Sequence, residues 1–297
     1  MKNKELLLLP AVIAISIAGP MVKWSLNEGA SPVMIAFGRM LLSGLILLPV
    51  ATGRGEIDRL KNMTCTDRRL TIASAILLAL HYACWMTSLS FASTFVSTAL
   101  VCTQPLFVAF LSGVLLHEPI LRESIPGAVV AVLGAVMIGV LSMKGEEGSL
   151  AGDLLALAGA AFIAGHWLCG RAVRRHVEGT GYTCMVYLMT AACLLAMSPV
   201  MGMSMPLRSL GGIVTLSLVC TLGGHAVLTW LLGYVSADVV SFALLGEPIG
   251  AALWAMLLFG EQVPMPLVVG GSLVIAGLVL YMAGQVQGRR KVRRLAK

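Results

Sequence analysis

Val239–Glu261 reads VVSFALLGEPIGAALWAMLLFGE, one long apolar run with a carboxylate, Glu247, and a proline, Pro248, near its middle. A charged side chain deep in a membrane costs about 2.5–3.5 kcal/mol on insertion scales, so it usually faces the interior of a helix bundle or a watery cavity. Proline removes one helical hydrogen bond and clashes with the carbonyl four residues earlier, here that of Leu244. The stretch therefore predicts a membrane helix that opens or bends beside a buried polar group.

A second stretch, Val96–Glu118, is built in the same way and reads VSTALVCTQPLFVAFLSGVLLHE. Pro105 corresponds to Pro248, and Gln104 to Glu247, at an offset of 143 residues (248 − 105). We interpret the chain as two copies of one unit whose polar middles differ. Other identities at this offset are Glu118 with Glu261, Trp24 with Trp167, Ser93 with Ser236, Gly127 with Gly270, and Gly134 with Gly277.

The composition indicates a membrane protein. The chain has 297 residues, of which 58% are hydrophobic and only 12% charged, and its mean hydropathy is +0.91. A soluble domain usually has about 25% charged residues, whereas the apolar blocks here approach the roughly 20 residues that span a bilayer as a helix. We predict an all-α membrane protein with ten transmembrane helices, near residues 5–26, 32–51, 70–90, 94–116, 124–142, 152–171, 181–201, 209–232, 238–259 and 265–284.

The distribution of positive charge predicts the topology. Of the 21 Lys and Arg, 17 fall at the termini or in alternate loops on one side, and only Lys144 and Arg208 fall on the other. By the positive-inside rule, both termini are cytoplasmic in a multi-pass protein of the cytoplasmic membrane. Five spans per unit is an odd number, so the copies should be inverted: repeat 1 over 5–142, repeat 2 over 152–284, then a basic cytoplasmic tail, 285–297.

The charge and cysteine patterns argue against a nucleic-acid-binding protein and against a disulfide or metal framework. The tail, GRRKVRRLAK, has no interleaved aromatic residues, so we interpret it as a topology anchor and not as a nucleic-acid site. The seven cysteines form no CxxC or CxxH pair, which favours core packing over a disulfide or metal framework. We expect no cofactor. GxSxG, HExxH and Walker motifs are absent, so an enzyme is not expected either.

Three intramembrane charges are candidates for substrate binding or coupling. Glu247 either faces a cavity, where it would bind a cationic group or exchange a proton, or it ties its helix to a neighbour. Lys23 and Arg39, in spans one and two, could bind an anionic substrate group or pair with Glu247. Lys23 could instead extend to the outer surface. Gln104, at the position matching Glu247, completes this polar set.

Three intramembrane histidines lie near tryptophans. His166 occupies the repeat position of Lys23 and precedes Trp167. Substrate contact, cation–π recognition and proton relay are the functional interpretations, and a hydrogen bond to a neighbouring helix is the structural one. No ligand pair lies at i,i+4 spacing, so a metal site is not expected. The other histidine–tryptophan pairs are His81 with Trp85 and His225 with Trp230.

Small residues recur along spans five and ten, as GAVVAVLGAVMIG at 127–139 and GGSLVIAG at 270–277. Small-xxx-small spacing favours close helix contact. The contact could form a homodimer face or pack the chain internally, and the sequence leaves both open.

These motifs together resemble a known family. LGEP at Leu245–Pro248, FGE at Phe259–Glu261 and a following G-x6-G resemble the EamA family of the drug/metabolite transporter superfamily. Gly19–Leu47, GPMVKWSLNEGASPVMIAFGRMLLSGLIL, resembles the family's first helical hairpin, and the likeness extends over about residues 5–284. The first repeat departs from the family pattern, with Gln104 and an apolar LLHE.

The resemblance implies a transporter, often an exporter of amino acids or related small metabolites, with a cavity lined by both repeats. We therefore expect a secondary transporter of a small metabolite in the lipid bilayer, working by alternating access, with proton coupling as one option. Spans one, three, four, six, eight and nine would line the path. Two alternatives remain open, a membrane enzyme using the histidines and a non-transporting regulatory membrane protein.

Overall fold

Long apolar segments have no water to satisfy their backbone groups in a membrane, so they fold as helices whose hydrogen bonds are internal. The structure is a computed structural model that describes residues 7–116, 122–142, 149–175, 177, 179–234, 240, 243–260 and 265–295. All regular elements in these ranges are helical. Glu118 and Glu261, which close the two matched stretches, lie outside the described residues, as do His117 and Ser236.

The helices follow one another with short connections. Within the described ranges, the α-helical series is interrupted by three 3-10 turns, Arg122–Ser124, Leu207–Ser209 and Leu244–Gly246, and by one π-helix, Leu216–His225. The α-helices are α1 Leu8–Ser16, α2 Ala18–Asn27, α3 Pro32–Gly53, α4 Glu56–Leu60, α5 Cys65–Ser88, α6 Thr94–Val101, α7 Gln104–Leu116, α8 Ile125–Ser142, α9 Leu150–Arg174, α10 Gly181–Met201, α11 Leu210–Thr215, α12 Ala226–Leu231, α13 Glu247–Phe259 and α14 Met265–Leu295.

Seven helices in the described ranges are long and apolar enough to cross a membrane. Predicted spans four and nine coincide with shorter apolar helices, Thr94–Val108 and Glu247–Phe259, because a break beside a proline interrupts each segment. Predicted span five coincides with α8. The count of ten therefore stays a prediction. The seven are Leu8–Asn27, Pro32–Gly53, Cys65–Ser88, Leu150–Arg174, Gly181–Met201, Leu207–Leu231 and Val268–Gly288.

Large apolar side chains cover the outside of the bundle. Leu9 is 69% exposed, Phe110 60% and Leu257 76%. Exposure of so many large apolar side chains to water would be unfavourable, whereas lipid tails accept them. This is a multi-pass membrane protein.

Helices α3 and α10 pack side by side and run antiparallel. At one end, the Ser31 amide donates to the Ser204 carbonyl at 2.8 Å. At the other end, Glu56, just after α3, contacts Thr180 and Gly181, where α10 begins. We call these the Ser31 end and the Glu56 end of the molecule.

Helices α8 and α14 also pack closely, through the glycine stripes found in the sequence. A Cβ added to Gly127 would clash with the Tyr281 backbone nitrogen and lie 2.6 Å from the Gly277 oxygen, and one added to Gly134 would lie 2.8 Å from the Gly270 oxygen. The stripes therefore pack against each other within the chain. Of the two interpretations left open by the sequence, internal packing applies to these glycines, and a homodimer would need another face.

Glu56 secures the Glu56 end. Its Oε2 accepts hydrogen bonds from the Thr180 amide at 2.7 Å, the Thr180 hydroxyl at 2.8 Å and the Gly181 amide at 2.8 Å. Burial by itself raises the pKa of this carboxyl, but the hydrogen bonds from Thr180 and Gly181, with the charge of Arg54, outweigh burial and hold the pKa below its ordinary value. Gly179 has φ of +92°, and its missing Cβ leaves room for the carboxylate.

Replacing Glu56→Gln should lower the thermal stability of the purified protein at neutral pH by about 1 kcal/mol, because charge-assisted hydrogen bonds become neutral ones. A lowered carboxyl pKa contributes stability above its ordinary value and loses it as pH falls through the lowered one. The Tm difference between wild type and variant should therefore be constant at neutral pH and shrink in acid. Glu28→Gln, in a 3.6 Å pair with the 80% exposed Arg208, is the matched control and should change little. Equal effects of both variants would contradict this account.

Candidate functional site

Arg39 is the most deeply buried charge of the described chain. Its side chain is 0% exposed, and its Nε donates to Thr221 Oγ1 at 2.6 Å. Its Cζ lies 4.8 Å from the centre of the Tyr82 ring, in cation–π geometry. Among the described residues, Nη1 and Nη2 have no hydrogen-bond acceptor. A guanidinium carries five N–H donors in a planar fork. The two terminal nitrogens of Arg39 are therefore available to donate to a carboxylate or a phosphate.

A π-helix brings Thr221 to Arg39. In Leu216–His225 the helix is wider than an α-helix, and the Thr221 hydroxyl donates to the carbonyl of Leu216, five residues earlier, at 2.9 Å. Ser217 in the same segment donates to the Arg39 carbonyl at 3.2 Å. Such π segments are rare and occur frequently at functional sites. The sequence analysis did not predict this segment.

Glu247 is the first residue of α13 and is 7% exposed. Its carboxyl lies within electrostatic range of Arg39, as well as of Tyr82 and Cys220. Within the described ranges, no ion pair of 4.0 Å or less joins Glu247 to Arg39. The carboxyl and the guanidinium therefore share one buried region without direct contact.

The two proline-bearing segments are both interrupted, and the interruptions meet. The helix breaks at Cys102 and Thr103 before Pro105, and the 3-10 turn Leu244–Gly246 precedes Pro248. Pro248 lacks the N–H that would bond the Leu244 carbonyl, and Cys102 Sγ donates to that carbonyl at 3.5 Å. The Glu247 N–H also donates to the Leu244 carbonyl within the 3-10 turn, so the thiol is a second donor to this oxygen and links the two breaks.

Gln104 begins the helix after the first break and is 3% exposed. Its Oε1 accepts a hydrogen bond from Trp167 Nε1 at 3.4 Å. The structure therefore brings together two residues that the sequence analysis singled out separately, on α7 and α9.

Histidines and aromatic rings form a continuous cluster next to Arg39. His225 stacks on Trp167 with ring centres 6.3 Å apart, and meets the edge of Tyr82 at 6.3 Å. Tyr82 in turn contacts His81 at 4.9 Å. The remaining contacts are His81 with Trp85 at 5.9 Å and His166 with Trp167 at 5.5 Å.

Two of the histidines are fixed by hydrogen bonds to neighbouring helices. His81 Nδ1 donates to the Gly159 carbonyl at 2.9 Å. His166 Nδ1 donates to the Ser74 carbonyl at 3.2 Å and lies 2.9 Å from Ser74 Oγ, which also contacts the Tyr182 hydroxyl at 3.0 Å. These bonds favour the structural interpretation for both side chains. The residues described in the structure contain no group of three or more metal-ligating side chains.

Two predicted site residues lie elsewhere. Lys23 Nζ donates to the Ala92 carbonyl at 3.3 Å and lines a cavity of about 450 Å³ at the Ser31 end. Trp230 packs on Tyr234, with ring centres 4.7 Å apart, near the Glu56 end. In the described ranges neither makes a ring contact or hydrogen bond with Arg39. Position along a helix did not predict the face on which each of these residues lies.

Several site residues were missed by the sequence analysis: Thr221, Ser217, Tyr82, Ser74 and Tyr182. Small hydroxyl residues are common in membrane helices, so they give little signal singly. The Gly223–Gly224 pair in span eight and the position of Tyr82 directly after His81 were the available signals.

The comparisons with known proteins agree with this architecture. The model of the EamA-like transporter family matches the chain twice, over residues 3–140 and 150–283. The chain belongs to the EamA-like transporter family. This family is part of the drug/metabolite transporter superfamily, so the resemblance found in the motifs is confirmed, and the protein is a membrane transporter for a small-molecule substrate.

One curated protein and one solved structure are similar to this EamA-family transporter. An uncharacterized transporter of Clostridium kluyveri is 27% identical over 267 residues, which cover 84% of this chain and 81% of that protein. A solved crystal structure has a TM-score of 0.68 at 16% identity, with 97% of this chain and 98% of that chain covered. At that identity the second likeness shows a shared fold.

Proposed function

We propose that this EamA-family protein is a secondary transporter that exports a small metabolite, an amino acid or a related compound, across the cytoplasmic membrane by alternating access. The observation that carries the proposal is the buried Arg39 fork with two nitrogens that lack an acceptor among the described residues. A buried charge in a membrane protein is costly unless it is paired, so a ligand that supplies acceptors would bind there favourably.

An amino acid matches the arrangement of charge. Its carboxylate would accept two hydrogen bonds from Nη1 and Nη2 of Arg39, as bidentate pairs do. Its ammonium group would lie toward Glu247, which interacts electrostatically with Arg39 but is not in direct contact with it. Tyr82, His225 and Trp167 would form the aromatic wall against which the side chain packs.

Glu247 also gives the transporter a means of proton coupling. A nearby cation favours the ionised form of a carboxyl group. A substrate carboxylate bound to Arg39 would offset the charge of that cation, so substrate binding would change the proton affinity of Glu247. Lys23, in the cavity at the Ser31 end, would supply a further contact on the path to that side.

We propose two inverted five-helix repeats, over 5–142 and 152–284, as the framework for alternating access. The family model matches once in each half. Gly127 corresponds in sequence to Gly270 and Gly134 to Gly277, yet Gly127 contacts Gly277 and Gly134 contacts Gly270, which is the crossing that an inverted pair requires. The contact between the two helix breaks, at Cys102 and Leu244, supports a rocking motion centred there.

The Glu56 end should be cytoplasmic, with both termini on that side. Alternate loops gather at opposite ends of the bundle, and basic residues concentrate at the Glu56 end, including Arg54, Lys61, Arg171 and Arg174. Single cysteines introduced at residues 3 and 290 of a cysteine-free variant should both resist a membrane-impermeant maleimide in intact cells and react after lysis. Labelling of both termini from outside would contradict this orientation, and labelling of one terminus alone would contradict an even number of spans, including ten.

The transport proposal is tested in proteoliposomes with a panel of radiolabelled amino acids, with and without an imposed pH gradient. Wild type should carry at least one of them, and Arg39→Ala and Glu247→Gln should each lower its flux about tenfold or more, because each removes a charged contact to the substrate. Arg208→Ala, an exposed arginine at the Ser31 end, is the control and should transport like wild type. Normal flux in both site variants would exclude this site, and no flux of any amino acid in wild type would exclude this substrate class.

A further inference from the structure

A second pocket lies on the outside of the bundle, at the Glu56 end and away from Arg39. It is a groove of about 600 Å³ between α3, α5 and α10, with α4 along its edge. Its walls are apolar, with Leu48 from α3, Ile72 from α5 and Leu188 from α10, and α4 contributes Ile57 and Leu60. Apolar walls at the end of a membrane-spanning bundle suit a hydrocarbon chain.

Two cations line the same groove. Lys61 and Arg68 stand at its edge, where the connection between α4 and α5 leaves the apolar zone. Lys61 Nζ lies 2.7 Å from Asp58 Oδ1, but the two side chains are 74% and 76% exposed, so an exposed pair of this kind exchanges partners at little cost. Arg68 Nη2 donates to the Lys61 carbonyl at 3.4 Å, which holds the Arg68 side chain beside Lys61 at one edge of the groove.

The other carboxylates of this connection are already engaged. Glu56 binds the amides that begin α10, and this contact also holds α4 along the groove. Asp67 accepts a hydrogen bond from the Thr64 hydroxyl at the start of α5. Among the described residues that connect α3 to α5, Asp58 is the one exposed carboxylate beside the groove. Lys61 and Arg68 outnumber it, so the charge available at the groove is positive.

We propose that this groove is a binding site for an anionic phospholipid. One acyl chain occupies the apolar groove between α3, α5 and α10, and the headgroup phosphate is held by Lys61 and Arg68. A basic pocket between membrane helices on the cytoplasmic side is a typical site for anionic headgroups. A water-soluble anion would gain nothing from the apolar walls, and a zwitterionic lipid would bring its own positive charge toward the two cations.

The site is tested by native mass spectrometry of the detergent-purified protein titrated with phosphatidylglycerol or phosphatidylcholine of the same acyl chains. Wild type should retain phosphatidylglycerol in preference to phosphatidylcholine. Lys61→Ala/Arg68→Ala should weaken phosphatidylglycerol binding about tenfold or more, since each cation near a membrane surface contributes appreciably to anionic lipid affinity. Ile72→Trp, which fills the groove, should also weaken binding, although it removes no charge.

Arg69→Ala is the matched control, because Arg69 is exposed on the same helix turn but does not line the groove, and it should bind like wild type. Millimolar inorganic phosphate should not displace the lipid. The proposal is overturned by equal binding of the two lipids, by an equal loss in Arg69→Ala, or by displacement with free phosphate. Folding of each variant is checked by its melting temperature without added lipid.

Discussion

The central part of this structure must accommodate a fully buried guanidinium, that of Arg39, inside a lipid-embedded bundle. Arg39 cannot give up its charge, so the surrounding helices must supply acceptors, rings or an opposite charge. Thr221 accepts from Nε, Tyr82 offers its ring face, and Glu247 contributes a carboxylate at the start of α13, where the helix dipole favours a negative charge. The positions of Thr221 and Glu247 depend on local departures from regular helix, and Tyr82 contributes a buried aromatic ring.

The departures from regular helix have separate causes but meet in one region. The wider turn of Leu216–His225 places Thr221 beside Arg39, and the proline at 248 ends one hydrogen-bond series so that a new helix begins at Glu247. The break before Pro105 touches the break before Pro248 through Cys102 and Leu244. Backbone that is irregular in a membrane is tolerated only where protein or a cavity surrounds it, which is the situation of a transport site.

Much of this arrangement was predictable from the sequence, and the failures have physical reasons. The proline spacing predicted both breaks, and the matched glycines predicted close contact, because backbone chemistry and side-chain size act locally. The π-helix was not predictable, since a change of hydrogen-bond register leaves no periodic signal in a segment that is apolar on every face. For the same reason the sequence did not predict the helix face on which Lys23 and Trp230 lie.

The central claim is that Arg39 and Glu247 act on each other across a buried region, and a double-mutant cycle tests it most directly. Thermal unfolding free energies would be compared for wild type, Arg39→Gln, Glu247→Gln and the double variant, all purified in the same detergent. Each single variant leaves one buried charge uncompensated, so the double variant should be more stable than the sum of the single losses predicts, with a coupling of about 1–3 kcal/mol. Additive losses would contradict the claim, because they would show that the two charges are energetically independent.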